Sequence, residues 1–242
     1  MRDHPAPATP WAIKQTWSDL LFLHWRVEED KLRKLIPEPL ELDTFEDGAY
    51  IAVVPFLMTG IRLRWLPPVP GTASTLEMNV RTYVKYGTRR GVYFFSLDAE
   101  NSLIVHTARA WYGLPYYKAE MSMRKATYTR YESRRIHPGA PPCNFRAVYR
   151  PLREPRTSEP GSLEHFLTER YCLFVADKGK PVRIGEIDHK PWPLRRAEAE
   201  IEANDMTEPL GIQVDNRPIL HYASSIDVKL WAMSPAATAE TA

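Results

Sequence analysis

Cysteine and glycine are scarce in this chain, neither sign of charge is in excess, and apolar runs are short. Only Cys143 and Cys172 occur among 242 residues, with no Cys-x-x-Cys pair. That excludes a disulfide framework and a cysteine-rich zinc site. The 11 glycines form no phosphate loop, dinucleotide fingerprint or Gly-x-Ser-x-Gly elbow. The 7 histidines include no His-x-x-x-His pair, so neither a metal nor a cofactor is expected. No run approaches the ~20 apolar residues of a spanning helix. With 32 basic and 30 acidic residues the net charge is only +2, which points to no nucleic-acid or membrane partner. The basic cluster Arg124, Lys125, Arg130, Arg134, Arg135 reads as a solvated face. Met1 to Pro10 is polar and proline-rich rather than a charged-then-apolar leader, so a cytoplasmic protein is expected.

What is present is aromatic and rich in proline. Hydrophobic residues make up 44% and aromatic residues 11% of the chain, so disorder is not expected. The 22 prolines are about twice the ordinary share of ~5%. Proline is tolerated at turns, strand edges and helix starts. Many short strands joined by structured loops follow from that combination.

Pattern along the chain predicts an extended arm over 1–16, a domain over 17–232 and a disordered tail over 233–242. Strands are expected at Leu20–Val27, Ala49–Met58, Glu77–Lys85, Val92–Asp98, Leu103–Tyr112, Met121–Tyr131, Tyr171–Ala176 and Leu220–Trp231. Ile61–Pro70 reads as a loop, and Ala140–Pro160 as a loop holding one short strand, Phe145–Tyr149. Helices are expected after Glu29, at Ser162–Glu169 and at Leu194–Ala203. The fold class is therefore α+β, mostly β: a single antiparallel, barrel-like domain with a few short helices.

Chemistry concentrates on Glu77–Lys85. Its odd positions, Glu77, Asn79, Arg81, Tyr83 and Lys85, form one row of hydrogen-bonding side chains, while Met78, Val80, Thr82 and Val84 form the other face. The polar row either meets water or lines a lumen where it converges on one ligand. Arg109, flanked by apolar residues, is a second guanidinium suited to bidentate capture of a carboxylate. Tyr83, Tyr116 and Tyr117 offer phenolic hydroxyls. Lys118 lies two residues after Tyr116, on the same face of an extended segment, and is the candidate amine.

Phe22-Leu23-His24-Trp25-Arg26, the segment from Leu32 to Asp43 and Gly113-Leu114-Pro115-Tyr116-Tyr117-Lys118 resemble the acetoacetate decarboxylase superfamily. A closer similarity, spanning about 15–232, is to a YqjF-like bacterial family. It is carried by Arg81-Thr82-Tyr83-Val84, the segment Val92–Ala99, Leu114-Pro115-Tyr116-Tyr117, Thr168-Glu169-Arg170-Tyr171 and the segment Ile187–Leu194, where His189 reads as structural. The resemblance implies a decarboxylase-like barrel. In those enzymes a lysine forms a Schiff base with a β-keto acid, and a second lysine lowers its pKa. Both lysine positions are tyrosine here, Tyr116 and Tyr117. Glu77 stands 39 residues before Tyr116, the separation of the catalytic glutamate from the lysine in those enzymes.

Three readings follow. One is a protein that binds a small carboxylate- or carbonyl-bearing molecule through Asn79, Arg81, Tyr83, Arg109, Tyr116 and Tyr117. Another is an enzyme acting on a keto-acid-like substrate, with Glu77 as general acid or base and Lys118 assisting. The last is a scaffold whose lumen is filled by its own side chains. A small-molecule ligand is the expected partner, and a homo-oligomer is compatible with the sequence.

Overall fold

Period-two stretches of the sequence become long strands, and most of the described prolines fall at their ends and in the connections, with Pro55, Pro151 and Pro155 inside strands. The computed structural model describes residues 4–67, 74–215 and 217–237. In chain order the first half holds β1 (Ile13–Val27), α1 (Glu29–Arg33), β2 (Glu41–Leu42), β3 (Ala49–Leu63), β4 (Ser74–Tyr86), β5 (Arg89–Ala99) and α2 (Ser102–Tyr112). There follow β6 (Tyr116–Lys125), β7 (Thr129–Arg135), β8 (Asn144–Arg156), α3 (Leu163–Thr168), β9 (Cys172–Val175) and β10 (Arg183–Asp188). The chain ends with β11 (Leu194–Asn204), β12 (Ile219–Leu230) and β13 (Ser234–Pro235).

All these strands belong to one sheet, ordered β13-β10-β9-β5-β6-β7-β8-β11-β12-β1-β3-β4-β2. Pairing of β4 with β5, and of β10 with β12, closes it on itself. Pairing is antiparallel except for β5–β6 and the single β5–β9 contact. The β5–β6 pair is parallel because α2 crosses between the two strands, which a hairpin cannot do. Ring closure places β4 between β3 and β5 and buries it on both faces. Met78 and Val80 enter the main core with Tyr131, Phe145 and Tyr149. On the opposite face Glu77, Asn79 and Tyr83 are 4%, 5% and 0% exposed. From Glu77 to Tyr83 the polar row of β4 therefore faces the interior, whereas the Lys85 side chain at its end is 38% exposed and pairs with Glu41.

Several expectations are corrected. Leu103–Tyr112 is helical despite its β-branched content. Asn101 Oδ1 accepts from the backbone of Leu103 (3.0 Å) and Ile104 (3.3 Å), and Gly113 closes the helix with φ 67°. Conversely, Leu194–Ala203 is strand β11 although alanine and glutamate favour helix. Ala197, Ala199 and Ile201 pack on the core at period two, while Glu198 and Glu202 pair with Arg150 and with Arg130 and Arg146 across neighbouring strands. Tertiary packing and cross-strand charge outweigh local propensity here.

Met121–Tyr131 divides into parts of β6 and β7, and β8 continues through Pro151 to Arg156. Strand β3 extends to Leu63, inside the segment expected as a loop, whose residues 68–70 lie outside the described ones. Within the expected arm, Ile13 already pairs with Leu63 and Leu230; residues 1–3 lie outside the described ones. In the expected tail Ser234 pairs with Ile184, and 238–242 lie outside the described residues. Arg135 does not belong to a solvated face: its side chain is 4% exposed and forms a buried ion pair with Asp98 at 2.6 Å.

Strand β9 packs so closely on β5 that position 91 admits no side chain. A Cβ on Gly91 would lie 2.7 Å from both the carbonyl oxygen and the Sγ of Cys172. Gly91→Ala is expected to cost about 1–3 kcal/mol, the usual penalty for overpacking. Urea denaturation measures it, and an unchanged midpoint would contradict the close approach.

Candidate ligand-binding cavity

Because β4 is interior on both faces, its polar row has to be satisfied inside the protein or by something that enters. Glu77, Asn79 and Arg81 line an internal cavity of about 100 Å³. Its aromatic wall is built from Trp17, Phe22 and Trp192, with Trp17 stacked on Trp192 at 6.2 Å and Phe22 edge-on to it at 5.1 Å. Tyr116 and Leu114, beside the parallel β5–β6 junction, close one end, and Thr168 and Arg170 contribute from the end of α3. The lumen is thus not packed solid.

At one end of the cavity the Tyr116 hydroxyl donates to Glu77 Oε2 at 2.8 Å. The Tyr131 hydroxyl donates to the Glu77 backbone carbonyl, also at 2.8 Å, holding the strand in place. Burial pushes the Glu77 carboxyl up from 4.5 to about 7; the Tyr116 hydrogen bond opposes this and the negative charge of Asp98 adds to it. Burial and the neighbouring carboxylate together raise Tyr116 well above the usual tyrosine range. Near neutral pH Glu77 is therefore divided between acid and base, while Tyr116 remains a donor.

The other end is cationic. Arg81 is stacked 5.6 Å from the Phe22 ring, and its buried Nε and Nη2 have no hydrogen-bond partner among the described residues. Arg170 lies between the rings of Tyr83 (4.9 Å) and Phe166 (4.3 Å). Its Nη1 meets Asp43 Oδ2 at 2.6 Å and its Nε the Phe166 carbonyl at 2.8 Å, but Nη2 is unpartnered. Asn79 Oδ1 and the indole N–H groups of Trp17 and Trp192 are likewise buried without partners. Six buried polar atoms on five cavity-lining residues are thus unpaired, all but one of them donors. Each would cost about 1–3 kcal/mol if left permanently dry. Such a set is complementary to an acceptor-rich, negatively charged group.

The remaining predicted residues fall elsewhere. Tyr83 is fully buried but does not line this cavity; its hydroxyl donates to the Leu167 carbonyl at 2.9 Å. Arg109 lies on the exposed side of α2, and its Nη1 donates to the Tyr116 carbonyl at 2.7 Å. Tyr117 alternates to the opposite face of β6 from Tyr116, under the Arg135 guanidinium at 4.4 Å. Lys118 does not line the cavity; its amine donates to the Glu100 carbonyl. Sequence reasoning placed Glu77, Asn79, Arg81 and Tyr116 together but missed Trp17, Arg170 and Trp192. Arg170 and Trp192 lie in the two segments singled out only as family similarity, so that signal was available. Among the described residues no group of three or more His, Cys, Asp or Glu could hold a metal ion. No helix of the described residues is long and apolar enough to cross a membrane.

Residues 14–227 match the DUF2071 family, described as an uncharacterized conserved protein. The chain is 43% identical over 225 residues to the uncharacterized protein YqjF of Bacillus subtilis (strain 168), covering 92% of each chain. It belongs to this YqjF-like family. Among solved structures it resembles an acetoacetate decarboxylase-like enzyme from Sphingomonas wittichii RW1, with a TM-score of 0.63, 14% identity and 98% and 99% of the two chains covered. It also resembles acetoacetate decarboxylase from Legionella pneumophila (TM-score 0.61, 13% identity, 97% and 93% covered). A third neighbour is the enduracididine biosynthesis enzyme MppR complexed with pyruvate (TM-score 0.60, 13% identity, 95% and 92% covered). At these identities the likeness is one of fold.

Glu77 also couples the site to stability. Between pH 4.5 and about 7 the native carboxyl keeps a proton that the unfolded chain has released. Stability therefore falls as pH rises through this window, by up to about 3 kcal/mol at 1.36 kcal/mol per unit. Glu77→Gln keeps an acceptor for Tyr116 and removes the titration. Relative to the parent, the variant is expected to gain up to about 3 kcal/mol between pH 5 and pH 8 in urea denaturation. An equal difference at both pH values would contradict the buried, titrating carboxyl.

Proposed function

We propose that this protein binds a small carboxylate-bearing molecule in the cavity of β4, with the acid group at Arg81 and a carbonyl or hydroxyl toward Asn79 and Glu77. The observation that carries this reading is the set of unpartnered buried donors on Arg81 and Arg170. A guanidinium without a counter-charge in a dry cavity is costly, and a bidentate carboxylate would satisfy both free nitrogens of Arg81 at once. Glu77 lies four residues away on the same face of β4 and lines the same cavity, so a ligand anchored at Arg81 would extend toward it. The cavity itself weighs against a scaffold with a filled lumen.

Pyruvate, the ligand of MppR in one similar structure, is a suitable first probe. Calorimetric titration should give a binding isotherm, and Arg81→Gln should weaken it at least about tenfold, as expected on losing a hydrogen bond to a charged group. Equal affinity of parent and variant would remove the reading.

A second reading is favoured by the position of the Glu77 carboxyl at about 7. A group poised there is suited to move a proton at a carbon next to a carbonyl. The reading assigns no role to Lys118, whose amine is already bound to the Glu100 carbonyl. Solvent deuterium should enter the methyl group of pyruvate in the presence of the parent protein, and Glu77→Gln should slow that exchange by a factor of 10²–10⁴, the usual contribution of a general base. If parent and variant exchange at the same rate, Glu77 is a binding residue only.

A further inference from the structure

Next to the β4 chamber, whose largely apolar lining carries Glu77, Asn79, Arg81 and Arg170, lies a second cavity of about 340 Å³ with fewer polar groups. Helix α2 forms its roof. Leu103, Thr107 and Trp111 recur at i, i+4 and i+8, and Ile104, Ala108 and Tyr112 run beside them; all six line the cavity. The floor is made by apolar side chains of β1, β3 and β12, among them Ile13, Leu63 and Leu230. At the rim Leu103 and Trp111 are 56% and 65% exposed. An amphipathic helix ordinarily spends such a face on core packing; on α2 only Val105 is buried.

The two cavities share walls. Gln15, Leu114, Tyr116, Leu173, Ile187 and Leu230 line both. The phenol that donates to Glu77 therefore stands at the junction between an apolar vestibule and a chamber rich in donors. A molecule whose acid group lies at Arg81 and which extends past Tyr116 would enter the space under α2. The volumes divide the same way: the inner chamber of 100 Å³ suits a compact polar head, and the vestibule of 340 Å³ falls in the range of pockets that hold drug-sized ligands.

We propose that the ligand is an amphiphilic carboxylic acid, with its head in the β4 chamber and an alkyl or aryl tail of several carbons in the vestibule under α2. This deepens the carboxylate-binding reading and rests on it. The tail supplies affinity by leaving water for an apolar surface, and the head supplies orientation by pairing with donors that otherwise stay unsatisfied. A short acid such as acetate or pyruvate would occupy the chamber alone and leave the vestibule wet.

The test is a calorimetric series of straight-chain carboxylates from butyrate to decanoate, each below its micellar concentration. Affinity should rise about three- to fourfold per added methylene until the vestibule is filled. Ala108→Trp, which fills the space beneath α2, should bring the decanoate-to-butyrate affinity ratio close to one. Trp111→Ala, at a largely exposed position whose replacement leaves the fold intact, should lower the same ratio. Arg81→Gln should weaken both acids by a similar factor. Butyrate binding that depends on Arg81, with no gain from longer chains, overturns the amphiphile and leaves the carboxylate reading standing. Absence of Arg81-dependent binding at every length removes the carboxylate reading as well. Decanoate binding indifferent to Arg81 would mark a purely apolar site and overturn the head-and-tail arrangement.

Discussion

The burial of β4 on both faces is the constraint on which the rest of the structure depends. A strand enclosed on both sides usually carries apolar residues throughout. Here one face does so, with Met78 and Val80 in the main core, while the other holds a carboxyl, an amide and a guanidinium. Ring closure through β4–β5 makes that arrangement unavoidable. Each polar group must then be paired, neutralised or left for a ligand. Glu77 is partly neutralised and accepts from Tyr116; Tyr83 pairs with a backbone carbonyl; Asn79 and Arg81 keep open valences.

Tyr116 and Tyr117 are adjacent on β6 but serve opposite faces. Tyr116 brings a neutral donor whose bond stabilises the ionised form of Glu77 against burial, and Tyr117 turns away to the Asp98–Arg135 pair. At Glu77 the side-chain partner is therefore a hydroxyl. Lys118 brings no amine to the cavity, because its side chain ends on the Glu100 carbonyl.

The local errors of sequence reading share one cause. Strand β11 is built of helix-favouring residues and α2 of strand-favouring ones, and each adopts the conformation its surroundings reward. In β11 the deciding terms are the period-two contacts of Ala197, Ala199 and Ile201 and the cross-strand ion pairs. For α2 they are the Asn101 and Gly113 caps and the need for a crossover between parallel strands β5 and β6. Caps are legible in a sequence, and these two could have been read. The crossover is a property of the closed sheet.

Period-two alternation alone specified β4, the polar row and the hairpin into β5, because side-chain direction in a strand follows from backbone geometry and needs no partner. Composition likewise specified a mostly β chain without a disulfide framework or a cysteine-rich zinc site. Whether the polar row met water or a cavity was undecidable at that level, since both faces of a strand look alike until a sheet closes around them. Bringing Trp17, Arg170 and Trp192 from distant segments against Glu77 and Arg81 required the register of β1, the end of α3 and the turn before β11. Only tertiary structure decided this, because contacts between residues far apart in sequence are set by packing and not by local pattern.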